Sequence, residues 1–145
     1  RPYLNRAFFS ALGQAMPERC LLVMAKREGR YIAGALNLIG GDCLYGRYWG
    51  ATEHVPCLHF EACYYQPLAW CIANGYTRFE GGAQGEHKMA RGLLPVRTWS
   101  AHWLADKRFA SAVEDFLSRE GAGVENYIGE LNERNPFKTA AQDLP

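Results

Sequence analysis

The chain has 145 residues, enough for one compact domain with a real core. Apolar residues make up 48% and charged residues 21%, the ordinary balance of a globular protein in water. A formal net charge of +1 excludes the basic field of a nonspecific nucleic-acid binder, and no apolar run approaches the roughly 20 residues that cross a bilayer.

In chain order, residues 5–16 place Phe8, Phe9, Leu12 and Met16 at helical spacing, with Asn5 as the cap and Pro17 as the stop. An apolar strand follows at 20–27, then a turn at 26–30 and a second strand at 31–39. Gly40-Gly41-Asp42 makes a tight turn into a third strand at 43–49, so the three form an antiparallel meander. After a loop at 50–57, residues 58–74 predict a helix with Phe60, Tyr64, Leu68 and Ile72 on one face. Gly75 closes it as a left-handed cap, and Pro67 predicts a kink near Cys63 because it lacks a backbone donor.

A short strand at 76–80 enters the glycine loop Gly81-Gly82-Ala83-Gln84-Gly85, which feeds a short helix over 86–90. A strand at 96–104 carries Trp99 and Trp103, and His102 between them reads as a packing histidine. Asp106 caps a helix that Gly121 ends, and a last amphipathic helix carries Val124, Tyr127, Ile128 and Leu131 before Asn135-Pro136. The pattern is mixed α/β with a largely antiparallel sheet: one domain over 1–138 and a tail over 139–145. The start at Arg1, without a methionine, reads as a piece of a longer polypeptide or a trimmed one. Five cysteines, an odd number without a Cys-x-x-Cys pair and partly in apolar runs, favour reduced thiols and a cytoplasmic location.

The glycine loop concentrates the most chemistry. Glycines let backbone amides approach a ligand, and Glu86, His87, Lys88 and Arg91 follow directly. The order of a Walker phosphate loop is absent, as is the spacing of a dinucleotide fingerprint. What is left is an anion or oxyanion turn, or a polar connector with exposed charges. His54, Cys57, His59 and Cys63 are potential metal ligands, but their spacing matches no common zinc pattern, so no metal is assigned. Cys57 near His59 is the one thiol with a base close in sequence, and the serine nucleophile elbow is missing. Arg47 lies between aromatics in Tyr45-Gly46-Arg47-Tyr48-Trp49, where it could hold an anion or stack, or simply be solvated. Glu61, at the start of a helix, is either a base beside a cleft or a residue favoured by the helix dipole.

Four blocks together resemble a bacterial family of predicted N-acyltransferases related to the Fem-type transferases that attach amino acids to peptidoglycan precursors. They are Leu36-Asn37-Leu38-Ile39-Gly40-Gly41-Asp42, Leu44-Tyr45-Gly46-Arg47-Tyr48-Trp49-Gly50, Leu58-His59-Phe60-Glu61-Ala62-Cys63-Tyr64-Tyr65-Gln66, and Gly82 to Gly92. The resemblance runs from about Pro2 to Phe137. It implies the Gcn5-related acetyltransferase (GNAT) fold, a mixed, mostly antiparallel sheet flanked by helices, and a place in the C-terminal half of a tandem protein.

The function so implied is transfer of an acyl or aminoacyl group to an amine. The pyrophosphate loop [Arg/Gln]-x-x-Gly-x-[Gly/Ala] of acyl-CoA enzymes is missing between Trp49 and Leu58. The donor is therefore open between acyl-CoA and aminoacyl-tRNA, with no cofactor held tightly. Amine attack needs a base and fixed donors for the oxyanion. Glu61, Glu86 or His87 would take the proton, and Arg47, Lys88 and Arg91 would hold anionic groups. Trp49, Tyr64 and Tyr65 would line the cleft, and Gln84 and Gly85 would present the loop. Arg47, Glu61, Gln84 and Lys88 are expected to converge on one surface. The partners are a small-molecule or peptide amine, tRNA if the donor is aminoacyl, and the missing N-terminal domain. The alternative is a non-catalytic half that completes a cleft with that domain.

Overall fold

The computed structural model describes residues 4–82 and 86–137. The chain divides into two compact units, Arg1–Gln84 and Gly85–Pro145.

The first unit begins with helix α1, Arg6–Ala15, where the Asn5 side chain accepts a hydrogen bond from the Phe8 amide at 2.9 Å. That is the expected cap: it satisfies one of the amides that a helix start leaves without a partner. Pro17 ends the pattern by opening a short 3₁₀ turn, Pro17–Arg19. Strands β1 (Cys20–Arg27), β2 (Arg30–Gly40) and β3 (Cys43–Ala51) form the predicted antiparallel meander, and β3 runs two residues further than expected. Strand β4 (Arg78–Glu80) adds to β3 in parallel, giving the order β1-β2-β3-β4.

β2 supplies the centre of the core, with Ile32, Ala33, Ala35 and Asn37 all buried. Successive strand residues point to opposite faces. Tyr48 meets Phe9 of α1, with ring centroids 5.5 Å apart, and its neighbour Trp49 meets His59 at 5.4 Å. Helices therefore cover both faces of the sheet, α1 on one and the segment beginning at Leu58 on the other.

That segment is not one regular helix. It consists of α2 (Leu58–Phe60), a π turn (Glu61–Tyr65) and α3 (Gln66–Ala73). In the π turn the Gln66 amide donates to the Glu61 carbonyl, one residue further back than in an α-helix. Pro67 has no amide to give to the carbonyl of Cys63, and the wider turn makes it a first-turn residue of α3, where a proline fits. The predicted kink is thus a π turn with Cys63 at its middle.

The expected apolar face needs correction. The buried positions are Ala62, Tyr64, Pro67 and Cys71, whereas Leu68 and Ile72 are 42% and 74% exposed. A strict four-residue step overshoots the 3.6-residue period by about 40° per turn, so it leaves the buried face by the last turn. Gly75, with φ +74°, caps the segment, and the Gly75 and Tyr76 amides donate back to Ile72 and Cys71. The chain is then tied to the β2–β3 turn. Arg78 pairs with Asp42 at 3.0 Å, Thr77 donates to the same carboxylate, and both hold it below the usual carboxylate range.

In the second unit the expected short helix is a six-residue 3₁₀ turn, Glu86–Arg91. Gly92 follows with φ +81°, and the Phe137 ring lies 2.7 Å from where a Cβ would be, so only glycine fits there. The strand expected over 96–104 is not formed: residues 93–104 have no regular structure, and Trp99 and Trp103 are 83% and 86% exposed. Aromatic composition marks a side chain that suits a sheet, but a strand also needs a partner edge, and this unit has no strand among its described residues.

The two expected helices are one, α4, Lys107–Glu133. Asp106 caps it as predicted, accepting from the Arg108 and Phe109 amides at 2.9 and 3.2 Å. Gly121 does not end it. A glycine terminates a helix by turning left-handed, and Gly121 stays helical with its hydrogen bonds intact. A Cβ at Gly121 would meet nothing within 4 Å. Gly121→Ala is therefore expected to stabilise the chain by about 0.5–1 kcal/mol. Urea unfolding checks this, and a loss of stability would show that the helix breaks there.

Candidate functional site

β3 pairs with β2 along nearly its whole length but with β4 over three residues only, Cys43↔Arg78, Leu44↔Phe79 and Tyr45↔Glu80. Past that point β3 continues to Ala51 while β4 gives way to Gly81-Gly82. In open α/β sheets ligands bind beyond the carboxyl ends of parallel strands, which is this end of β3 and β4. The chain also leaves β3 here and enters α2, so the first helical turns stand beside the same strand end.

Two residues shape this end of β3. Pairing with β2 steps from Leu36↔Tyr48 to Asn37↔Gly46, so Arg47 is the extra residue of a β-bulge. A bulge bends the strand and re-aims a side chain. Arg47 is exposed, its guanidinium 5.6 Å from the centroid of the Tyr45 ring. A Cβ on Gly46 would lie 3.5 Å from the Glu80 carbonyl oxygen, 3.7 Å from Asn37 Oδ1 and 3.7 Å from Gly81 Cα. β3, β4 and the start of the glycine loop thus come together at Gly46. Asn37, only 1% exposed, fills the space beneath, its Nδ2 donating to the Leu21 and Ala35 carbonyls at 3.4 and 3.5 Å.

The helical side carries Glu61, Tyr64 and Tyr65 on the π turn. Glu61 is exposed and accepts a hydrogen bond from Gln66 Nε2 at 2.7 Å, which orients one carboxylate oxygen and leaves the other to solvent. Tyr64 is buried and Tyr65 is 50% exposed. The imidazole of His59 connects Trp49 and Tyr64, with edge contacts of 5.4 and 5.6 Å to the two rings. Trp49 and Tyr64 thus meet through His59, while Glu61 and Tyr65 share the π turn with Tyr64 and Arg47 lies on the bulge two residues before Trp49.

Of the other site candidates, Glu86, His87, Lys88 and Arg91 belong to the second unit. The Arg91 guanidinium donates to the His87 carbonyl at 2.5 Å, which closes the 3₁₀ turn, and burial lowers the affinity of the Lys88 amine for its proton. A six-residue 3₁₀ turn has no macrodipole comparable to that of a long helix, which removes the helix-terminus argument for an anion site here. Gln84, Gly85 and the side chain of Glu86 lie outside the described residues.

Sequence reasoning passed over Asn37, Gly46, Gln66 and the aromatic role of His59. An amide amid apolar neighbours in a strand core, as in Ala35-Leu36-Asn37-Leu38, was the signal for the first. His59, weighed with His54, Cys57 and Cys63 as a metal ligand, is held by rings instead. Among the described residues no group of three or more His, Cys, Asp or Glu could hold a metal ion. Burial pushes the Cys63 thiol up to about 11 and raises Cys43 and Cys71 as well. Cys57 is exposed, in a left-handed conformation with φ +64° at the entry to α2. With iodoacetamide at pH 8, Cys57 is expected to alkylate first, and Cys63, with roughly a thousandth of its thiol ionised, far more slowly. Mass spectrometry gives the order, and rapid labelling of Cys63 would contradict the burial described.

The family model FemAB-like, described as peptidoglycan biosynthesis/recognition, matches residues 1–139. No curated protein matches. No solved structure matches either.

Proposed function

The chain belongs to the FemAB-like family of peptidoglycan biosynthesis/recognition, and on that premise we propose that it transfers an acyl or aminoacyl group to an amine acceptor. The observation that carries the reading is the parting of β3 and β4 beyond Tyr45 and Glu80, with the Arg47 bulge on one strand and Glu61 on the π turn that follows. An antiparallel meander followed by a strand-helix-strand step with parallel strands is compatible with the GNAT architecture, and we assign the chain to that fold.

In the proposed reaction the acceptor amine attacks the carbonyl of an activated ester or thioester. Glu61, with one oxygen fixed by Gln66 and the other open, takes the proton from the attacking nitrogen. Charge develops on the carbonyl oxygen of the tetrahedral intermediate, and backbone amides at the end of β3 supply the fixed donors it needs. The intermediate collapses by expelling the donor's alcohol or thiol. Arg47 holds an anionic part of the donor, since a guanidinium binds phosphate or carboxylate through two parallel hydrogen bonds. Trp49 and Tyr65 contact the substrates, and buried Tyr64 fixes the wall behind them. The alternative reading puts the chemistry in the second unit, with Glu86 or His87 as the base and Lys88 and Arg91 as the anion ligands. The donor is acyl-CoA or an aminoacyl-tRNA, and the acceptor an amine of a peptidoglycan precursor.

The test is transfer by the full-length protein with each donor class. Glu61→Gln should lower kcat by about 10²–10⁴-fold, and Arg47→Ala should lower kcat/KM for the donor by roughly tenfold. Unchanged turnover in Glu61→Gln would remove it as the base, and unchanged donor dependence in Arg47→Ala would remove the anion grip.

A further inference from the structure

Had the segment beginning at Leu58 formed one α-helix, Glu61 and Gln66 could not have met. Five residues at 100° each set two side chains about 140° apart around the axis and about 7.5 Å apart along it. The π turn removes that separation, because its wider ring brings the fifth residue back over the first. Gln66 donates to Glu61 twice: its main-chain amide to the Glu61 carbonyl, and its Nε2 to Oε1 at 2.7 Å. Ala62 and Tyr64 are buried and hold the turn in place, while Glu61 and Gln66 stay exposed.

The chemistry of the holding group matters as much as its place. Oε1 accepts from Gln66 and Oε2 is open, so a proton arriving at Glu61 enters on Oε2. Oε1 is then the carbonyl oxygen of a carboxylic acid, and it goes on accepting from Nε2. A neutral amide thus holds the carboxyl group in one orientation before and after proton transfer, with nothing to rearrange during the step. An arginine or lysine in its place would bond the carboxylate more strongly and oppose its protonation.

We propose that Gln66 is a positioning residue of the transfer reaction and that the π turn serves to set it against Glu61; the inference rests on Glu61 as the base. The lone pair of the acceptor nitrogen forms the bond to the acyl carbon. The N–H bond breaks with its electrons left on nitrogen, and the proton goes to Oε2 in the orientation that Gln66 holds.

Steady-state kinetics of the full-length protein test this with Gln66→Met, which keeps the length of an exposed side chain and removes its donor. kcat should fall about tenfold, the worth of one hydrogen bond to a charged group. KM for both substrates should hold, with the melting temperature within about 2 °C of the parent. Glu61→Gln combined with Gln66→Met should be no slower than Glu61→Gln alone, because a residue that acts through Glu61 then has nothing left to position. Full turnover in Gln66→Met while Glu61→Gln is slow overturns the inference and leaves the base standing. So does a change confined to KM, or losses that multiply in the double variant. Full turnover in Glu61→Gln removes both.

Discussion

β3 pairs with two strands of opposite sense, and it shares only Cys43, Leu44 and Tyr45 between them. Antiparallel and parallel ladders use different hydrogen-bond spacings, and a strand serving both sits between two geometries. The bulge at Arg47 falls two residues beyond the last shared position, where β3 is released from β4 and bends. The placement of the candidate site follows from that release. Were β4 paired along all of β3, the backbone groups of the strand end would be taken up by the ladder. Gly46 sits at the branch, the residue with no side chain to interpose between Glu80, Asn37 and Gly81.

The second determinant is covalent. Pro67 removes one amide from the helical ladder, and the chain answers with a π turn that carries Glu61, Tyr64 and Tyr65. The extra residue widens the turn where the helical segment lies against β1 and β2, and it sets Gln66 within reach of Glu61. The aromatic line from Trp49 through His59 to Tyr64 joins the bulged strand to this turn across the layer. Edge contacts of this kind add about 0.5–1.5 kcal/mol each beyond buried area. They rest on side chains adjacent to the proposed chemistry, so packing and positioning share the same residues.

Local chemistry was legible in the sequence wherever a single residue type decides the outcome. Asn5 and Asp106 cap their helices, Gly75 closes a helix in the left-handed form, and the apolar runs and turns over 20–49 give three antiparallel strands. Features that depend on a partner were not legible. The bulge at Arg47 depends on β2, and the parallel sense of β4 is a property of the sheet rather than of Arg78-Phe79-Glu80. The strand predicted at 96–104 failed for the same reason, because tryptophans favour an edge they cannot create. Gly121 misled because a glycine permits a helix stop without compelling one. For the site, residue types pointed to Arg47, Glu61 and the aromatic residues, while the close approach at Gly46 depends on β4 and the Gln66 bond to Glu61 on the π turn.

Group transfer is proposed to take place where β3 and β4 part. The most direct measurement is an amide chemical-shift titration of the isotopically labelled chain with acetyl-CoA and, separately, with a non-hydrolysable aminoacyl-adenosine. One of the two is expected to shift the amides of Gly46–Trp49, His59–Gln66 and Glu80–Gly82 together, with the rest of the sheet unmoved. Shifts confined to other parts of the chain, or none with either probe, would contradict it.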